Sequence, residues 1–343
     1  MGVTTNVSHL EWRAPVFPAR SARHRSPRGG RVCPHPVHPT RLRSPMAEAY
    51  GACIGTAMRP ERPDPEPPFT RDVAARGARI RFVEAGSGPP LVLVHDYLAS
   101  HVAWEDVLPR LSQRFHVIAP DLPGFGESEK PSPARYPYNF DAFSESLVDL
   151  VAALGLARVS VCGHALGGAI ALTIAASHPH VVEKLVLVNA LVYPPPQLDA
   201  MSRVASVPVL GPFVFKQLYG RALFRNRFLG YARASRGGKA TQRVDRLFEL
   251  FDIPAAREAA YATMRAMLDT RPLIARVPRI TAPTLVAWGR THGASPVEHG
   301  RRLARELRRA RFEVFDCGAS PAEECPGEFV TAVSAFMADG ELE

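Results

Sequence analysis

The chain has 343 residues, 46% of them apolar and 22% charged, with a net charge of +9. That is ample apolar material for a core, no run approaches the roughly 18 consecutive apolar residues of a membrane-spanning helix, and the start lacks the compact apolar segment of a secretory signal. Residues 1–45 hold eight Arg, no Lys and one acidic residue, Glu11, so they carry +7 of the charge, and the near-neutral remainder gives no ground for a nucleic-acid or membrane partner.

Residues 1–68 are rich in Pro and Arg, with pieces such as RPERPDPEPPF that have no apolar face to bury. They are expected to be disordered or extended, with residues 1–45 an extension ahead of Met46. From residue 69 the pattern is regular. ARIRFVEAG (78–86) alternates like a strand and ends at a Gly turn, and PLVLVHD (90–96) is a continuous apolar run, as in a strand covered on both faces. A helix is expected at 101–113, a strand at 115–122, a helix at 140–154, a strand at 159–163, a small-residue helix to about 177 and a strand at 184–190. Strands alternating with helices imply an α/β fold with a mostly parallel sheet and helices on both faces.

The alternation stops at 193–271, where apolar residues recur at three- and four-residue spacing in FVFKQLYGRALF, RVDRLFELF and REAAYATMRAML. This segment reads as a helical cap inserted between two parts of the core, 69–192 and 272–343. The second part resumes with a strand at 283–289, a helix at 296–308, a strand at 311–318 and a helix at 326–338. The five cysteines are scattered without a CxxC pair, which fits a reducing cytoplasm and argues against a zinc site.

Five strings occur in an order that resembles the α/β-hydrolase superfamily: LVLVHD, DLPGFGESEKP, VCGHALGG, PTLVAWGR and PGEFVTAVSAFM. The likeness spans about 69–343 and is nearest to the capped members around haloalkane dehalogenases, epoxide hydrolases and carbon–carbon bond hydrolases. Such enzymes carry G-x-S-x-G at a sharp strand-to-helix turn that projects a nucleophile. Here the turn reads Gly163-His164-Ala165-Leu166-Gly167, so the resemblance puts the nucleophile at Ala165. It puts the orienting acid at His292, in Trp288-Gly289-Arg290-Thr291-His292, and the base at Ala319, in Gly318-Ala319. The alternative acid position, after the preceding strand, reads Val188-Asn189-Ala190-Leu191 and has no carboxylate. Where relatives have His-Gly after the first long apolar strand, this chain has His95-Asp96-Tyr97, which sets a carboxylate where an oxyanion would be stabilised.

The resemblance therefore implies the scaffold of a serine hydrolase without its catalytic set. Serine-hydrolase activity is not expected, no cofactor or metal is implied, and Cys162, three residues before the apex and within the strand, reads as core packing. The leading expectation is a non-hydrolytic homologue that binds a small apolar ligand or a partner. Its pocket would be formed by His95, Asp96, Tyr97, His164, Ala165, Leu166 and His292. The competing expectation is an enzyme of lyase, isomerase or cofactor-independent oxygenase type that uses Asp96 and His292 as an acid–base pair.

Overall fold

The computed structural model of the chain describes residues 68–195, 203, 206–207, 210–228, 239–291 and 295–339. Segment 1–68 lies outside them except for Pro68, as do parts of 193–271 and His292.

The strands are β1 (Phe69–Ala75), β2 (Ala78–Ala85), β3 (Pro90–Val94), β4 (His116–Pro120), β5 (Val159–His164), β6 (Val182–Val188), β7 (Thr284–Gly289) and β8 (Ala310–Phe315). They form one sheet in the order β1-β2-β4-β3-β5-β6-β7-β8. The β1/β2 and β2/β4 pairs are antiparallel and all the others are parallel. The apolar runs are explained by cover on both faces. Along β3, Val92 and Val94 join a cluster with Leu147, Leu150 and Ile170, while Leu91 and Leu93 join a second one with Trp104, Phe329 and Phe336. Burial of each such side chain stabilises the fold by about 2 kcal/mol.

Two local readings need correction. The expected helix at 101–113 is broken into a 3-10 turn, His101–Trp104, and one helical turn, α1 (Leu108–Leu111). Ser100 caps the first, accepting from the Val102 amide, and Pro109 has no amide hydrogen with which to continue it. Strand β1 was not expected at all. It pairs with β2 through a two-residue turn at Arg76 (φ 38°) and Gly77 (φ 80°), the doubly left-handed hairpin turn that suits twisted strands.

Helices α2 (Phe140–Ala153) and α3 (Leu166–Ser177) follow β4 and β5. Between 193 and 283 every described element is helical: α4 (Leu210–Phe213) continuing as a π-helix (Val214–Leu218), α5 (Arg221–Arg227), α6 (Lys239–Phe251), α7 (Pro254–Met267) and α8 (Arg271–Arg276), which ends in a 3-10 turn. The chain closes with α9 (Val297–Glu306), α10 (Pro321–Glu324) and α11 (Pro326–Ala338). Among the described residues no helix is long and apolar enough to cross a membrane. The carboxyl ends of β3, β5, β6, β7 and β8 point the same way. Each candidate position follows one of them, which is where ligands sit in open α/β sheets.

Candidate functional site

The turn from β5 into α3 is made by one residue. Ala165 has φ 45° and ψ −102°, a conformation that L side chains rarely adopt and that costs about 1–3 kcal/mol. The surroundings hold it there. Its amide donates to Val188 O at 2.9 Å, and its carbonyl accepts from the amides of Ala169 and Leu191. The flanking glycines are needed for space. A Cβ on Gly163 would lie 2.2 Å from Gly167 O, and one on Gly167 would lie 2.1 Å from Val94 O, both backbone atoms that cannot yield. The apex itself carries only a methyl group, half-buried.

The loop after β3 fills the place opposite. Asp96, half-buried, accepts from the Leu166 amide through Oδ1 at 3.1 Å. That amide, one residue past the apex, is the one a G-x-S-x-G turn uses to hold a developing oxyanion. Here the chain's own carboxylate occupies it. His95 fixes the loop. Its Nδ1–H donates to Asp96 O at 2.7 Å, and its Nε2 accepts from the Leu122 amide at 2.9 Å. Complete burial pushes its pKa down, so the ring is neutral with both nitrogens committed, which removes it as a base. Tyr97 is buried and donates to Ala260 O of α7 at 2.9 Å, with Phe125 edge-on at 5.8 Å.

The loop after β8 is equally committed. The carbonyl of Ala319 accepts from His164 Nε2–H at 2.8 Å and from Asn189 Nδ2–H at 2.5 Å. Glu324 accepts from the amides of Gly318 and Ser320 at 2.7 and 2.9 Å. Asn189 itself adopts φ 42° and accepts from the Gly289 amide at 2.9 Å, so one carboxamide ties the ends of β6, β7 and β8 together. After β7, Thr291 bonds Cys317 O through its amide and its hydroxyl, and His292 lies outside the described residues. Cys162 is wholly buried, and burial pushes its thiol pKa well up, which fits a packed core thiol.

Thus Asp96, His164, Ala165, Leu166 and Ala319 are brought together, whereas His95 and Tyr97 turn away to brace the loop. Four contributors were not singled out from the sequence: Asn189, Glu324, Glu323 and Arg243. Arg243 of α6 reaches Glu323 at 2.9 Å and Asp106 at 3.0 Å, fastening the helical segment to the loop that carries Ala319. Burial pushes the Glu323 carboxyl pKa up, partly offset by Arg243. Only Glu324 left a signal, a carboxylate close behind a Gly turn whose amides need acceptors. A small apolar cleft of about 10 Å³, room for about one water, lies between Leu98, Phe125 and their neighbours on the core side and Leu247, Phe251 and Ala256 on the helical side. None of the expected pocket residues lines it. Among the described residues no group of His, Cys, Asp and Glu is arranged to hold a metal ion.

Comparison with known proteins follows the same lines. A family model described as the alpha/beta hydrolase fold matches residues 89–324. An uncharacterized protein of Mycobacterium tuberculosis (strain ATCC 25618 / H37Rv) is 30% identical over 291 residues, covering 82% of this chain and 84% of the relative. The 2-hydroxymuconate semialdehyde hydrolase of Pseudomonas sp. (strain CF600) is 28% identical over 294 residues, covering 81% and 97%. Among solved structures, the epoxide hydrolase CorEH matches with a TM-score of 0.67 at 24% identity, over 79% of this chain and 99% of that one, which is a likeness of fold.

Proposed function

The chain belongs to the alpha/beta hydrolase fold family, and from that premise we propose that it is a non-hydrolytic member which holds a small apolar ligand against the turn at Ala165. The observation that carries this reading is the hydrogen bond from the Leu166 amide to Asp96 Oδ1. In acyl transfer that amide stabilises negative charge arriving on the substrate oxygen, and losing one such donor slows turnover by about 10²–10³. A carboxylate there goes further, since it repels the charge that the reaction must develop. With a methyl group at 165 and another at 319, nucleophile and base are absent as well. A vacated catalytic set costs roughly six orders of magnitude.

Methyl groups in place of a hydroxyl and an imidazole remove polar atoms that a bound apolar molecule would otherwise leave unpaired. Asp96 supplies a negatively charged acceptor at the turn, which favours an apolar ligand bearing a hydrogen-bond donor over an ester or a carboxylate.

The test is the binding of Nile red, a neutral apolar fluorophore, to the unmodified protein and to Ala165→Trp. Saturable binding weakened about tenfold by the tryptophan is expected. Absence of binding, or equal binding by both, would remove the ligand from the proposal and leave a scaffold.

A further inference from the structure

The near-neutral average of the folded part conceals a strong asymmetry. Residues 200–244 contain nine basic residues and no acidic one. The same stretch supplies five of the seven large apolar side chains exposed among the described residues: Val207, Leu210, Phe213, Leu218 and Leu223, with Phe213 59% and Leu218 58% exposed. Their spacing is organised. Leu210 and Phe213 are three apart on α4. The π-helical turn that follows, with its wider i→i+5 bonding, brings Leu218 back beneath Phe213 five residues later. Phe215 and Tyr219 meanwhile turn inward and are buried. The outward stripe is therefore a built feature of the helix, with a core-facing side of its own.

The basic residues around it are only partly neutralised. Among the described residues Lys216 pairs with Glu258 at 2.8 Å and Arg243 is held by Glu105, Asp106 and Glu323, whereas Arg221 and Arg225 share the single carboxylate of Asp245, at 3.1 and 2.6 Å, which leaves a positive charge over. Arg203 is exposed at the start of the stripe. Exposed Leu and Phe flanked by Arg and Lys match a surface that is apolar within and anionic at its rim.

We infer that the face formed by Val207–Leu223 docks on an anionic lipid bilayer, with Leu210, Phe213 and Leu218 seated at the boundary between headgroups and acyl chains. Charge sets aside the other occupants. Residues 1–45 are themselves strongly basic and would be repelled, and so would the same face of a second copy. A phosphate backbone would satisfy the arginines but leave the leucines facing nothing apolar. The inference is independent of the ligand proposed above, and it adds a peripheral lipid contact to a chain whose described residues include no helix long and apolar enough to cross a membrane.

The experiment is co-sedimentation of the full chain with vesicles of phosphatidylcholine alone and of phosphatidylcholine with about 30 mol% phosphatidylserine. Sedimentation with the anionic vesicles only is expected, weakened as salt rises from about 0.1 M to about 1 M and the screening length shrinks from about 10 Å to about 3 Å. The double variant Phe213→Ser, Leu218→Ser should bind at least about tenfold more weakly. Its fold is checked by an unchanged melting temperature, which is expected because both side chains are exposed. Three outcomes overturn the inference: no binding to anionic vesicles; equal binding by the double variant, which would place the contact elsewhere, for instance in residues 1–45; or self-association that the double variant abolishes without any vesicle binding.

Discussion

The turn at Gly163–Gly168 and the positions that face it obey different constraints. In the turn, an added carbon at Gly163 or Gly167 would meet backbone oxygen at 2.2 or 2.1 Å. At 165 and 319 the side chain is a single methyl group, and what is bonded there is the backbone: Ala165 to Val188 and Leu191, Ala319 to His164 and Asn189. Steric demands belong to the fold and chemical demands to the reaction, and on the proposed reading this chain meets the first without the second.

The largest effect that separates the two is expected from Gly167→Ala. Its Cβ would strike Val94 O, and neither strand nor helix can retreat, so a loss of about 3 kcal/mol or more is expected. Ala319→Ser, at the facing position, should change stability by less than about 1 kcal/mol. Thermal melts of both variants check the contrast, and similar midpoints would dissolve it.

A buried ion pair beside the site sharpens the comparison, because it shows a polar group retained for structure. Asp121 is buried at the end of β4 and accepts from His101 Nδ1–H at 2.9 Å and from the amides of His101 and Glu127. Burial is the largest influence on each partner and opposes the charged form. The hydrogen bond and the opposite charge nevertheless carry the net shift, raising His101 above 6.5 and lowering Asp121 below 3.8. The His101 contribution is thus complete below pH 6.5 and is lost as pH rises through its raised folded value. That of Asp121 is complete above pH 3.8 and is lost as pH falls through its lowered one. His101→Gln should therefore cost about 1 kcal/mol near pH 5.5 and clearly less near pH 9. A pH-independent difference in melting temperature would contradict the assignment.

The smallest effect is expected at the apex. Ala165 bears the strain of a left-handed backbone with no hydroxyl to project. Ala165→Gly relieves that strain at the expense of a more flexible unfolded chain, and a net gain of about 1 kcal/mol, or about 2–4 °C, is expected. A lower melting temperature would show that the methyl group packs against something that the fold needs.

Much of this was legible from the sequence for definite reasons. The apolar runs at 90–94 and 184–188 mark strands because cover on both faces demands it, and Gly163, Gly167 and Gly168 mark the turn because nothing larger fits. Strand β1 was not legible: RDVAA is weakly strand-like, and Arg76-Gly77 is not one of the dipeptides that signal a hairpin. Within the site, Asp96 was identifiable as out of place, but its bond to Leu166 spans 70 residues and only the fold brings the two together. The same holds for Asn189 and Arg243, whose partners lie 130 and 80 residues away.

The most direct measurement of the central claim is exposure of the unmodified protein to a serine-directed fluorophosphonate, with parallel assay of p-nitrophenyl butyrate hydrolysis. The account predicts no covalent adduct by intact-mass analysis and no turnover above that of buffer. A stoichiometric adduct, or hydrolysis that survives purification and is abolished by the same reagent, would contradict it.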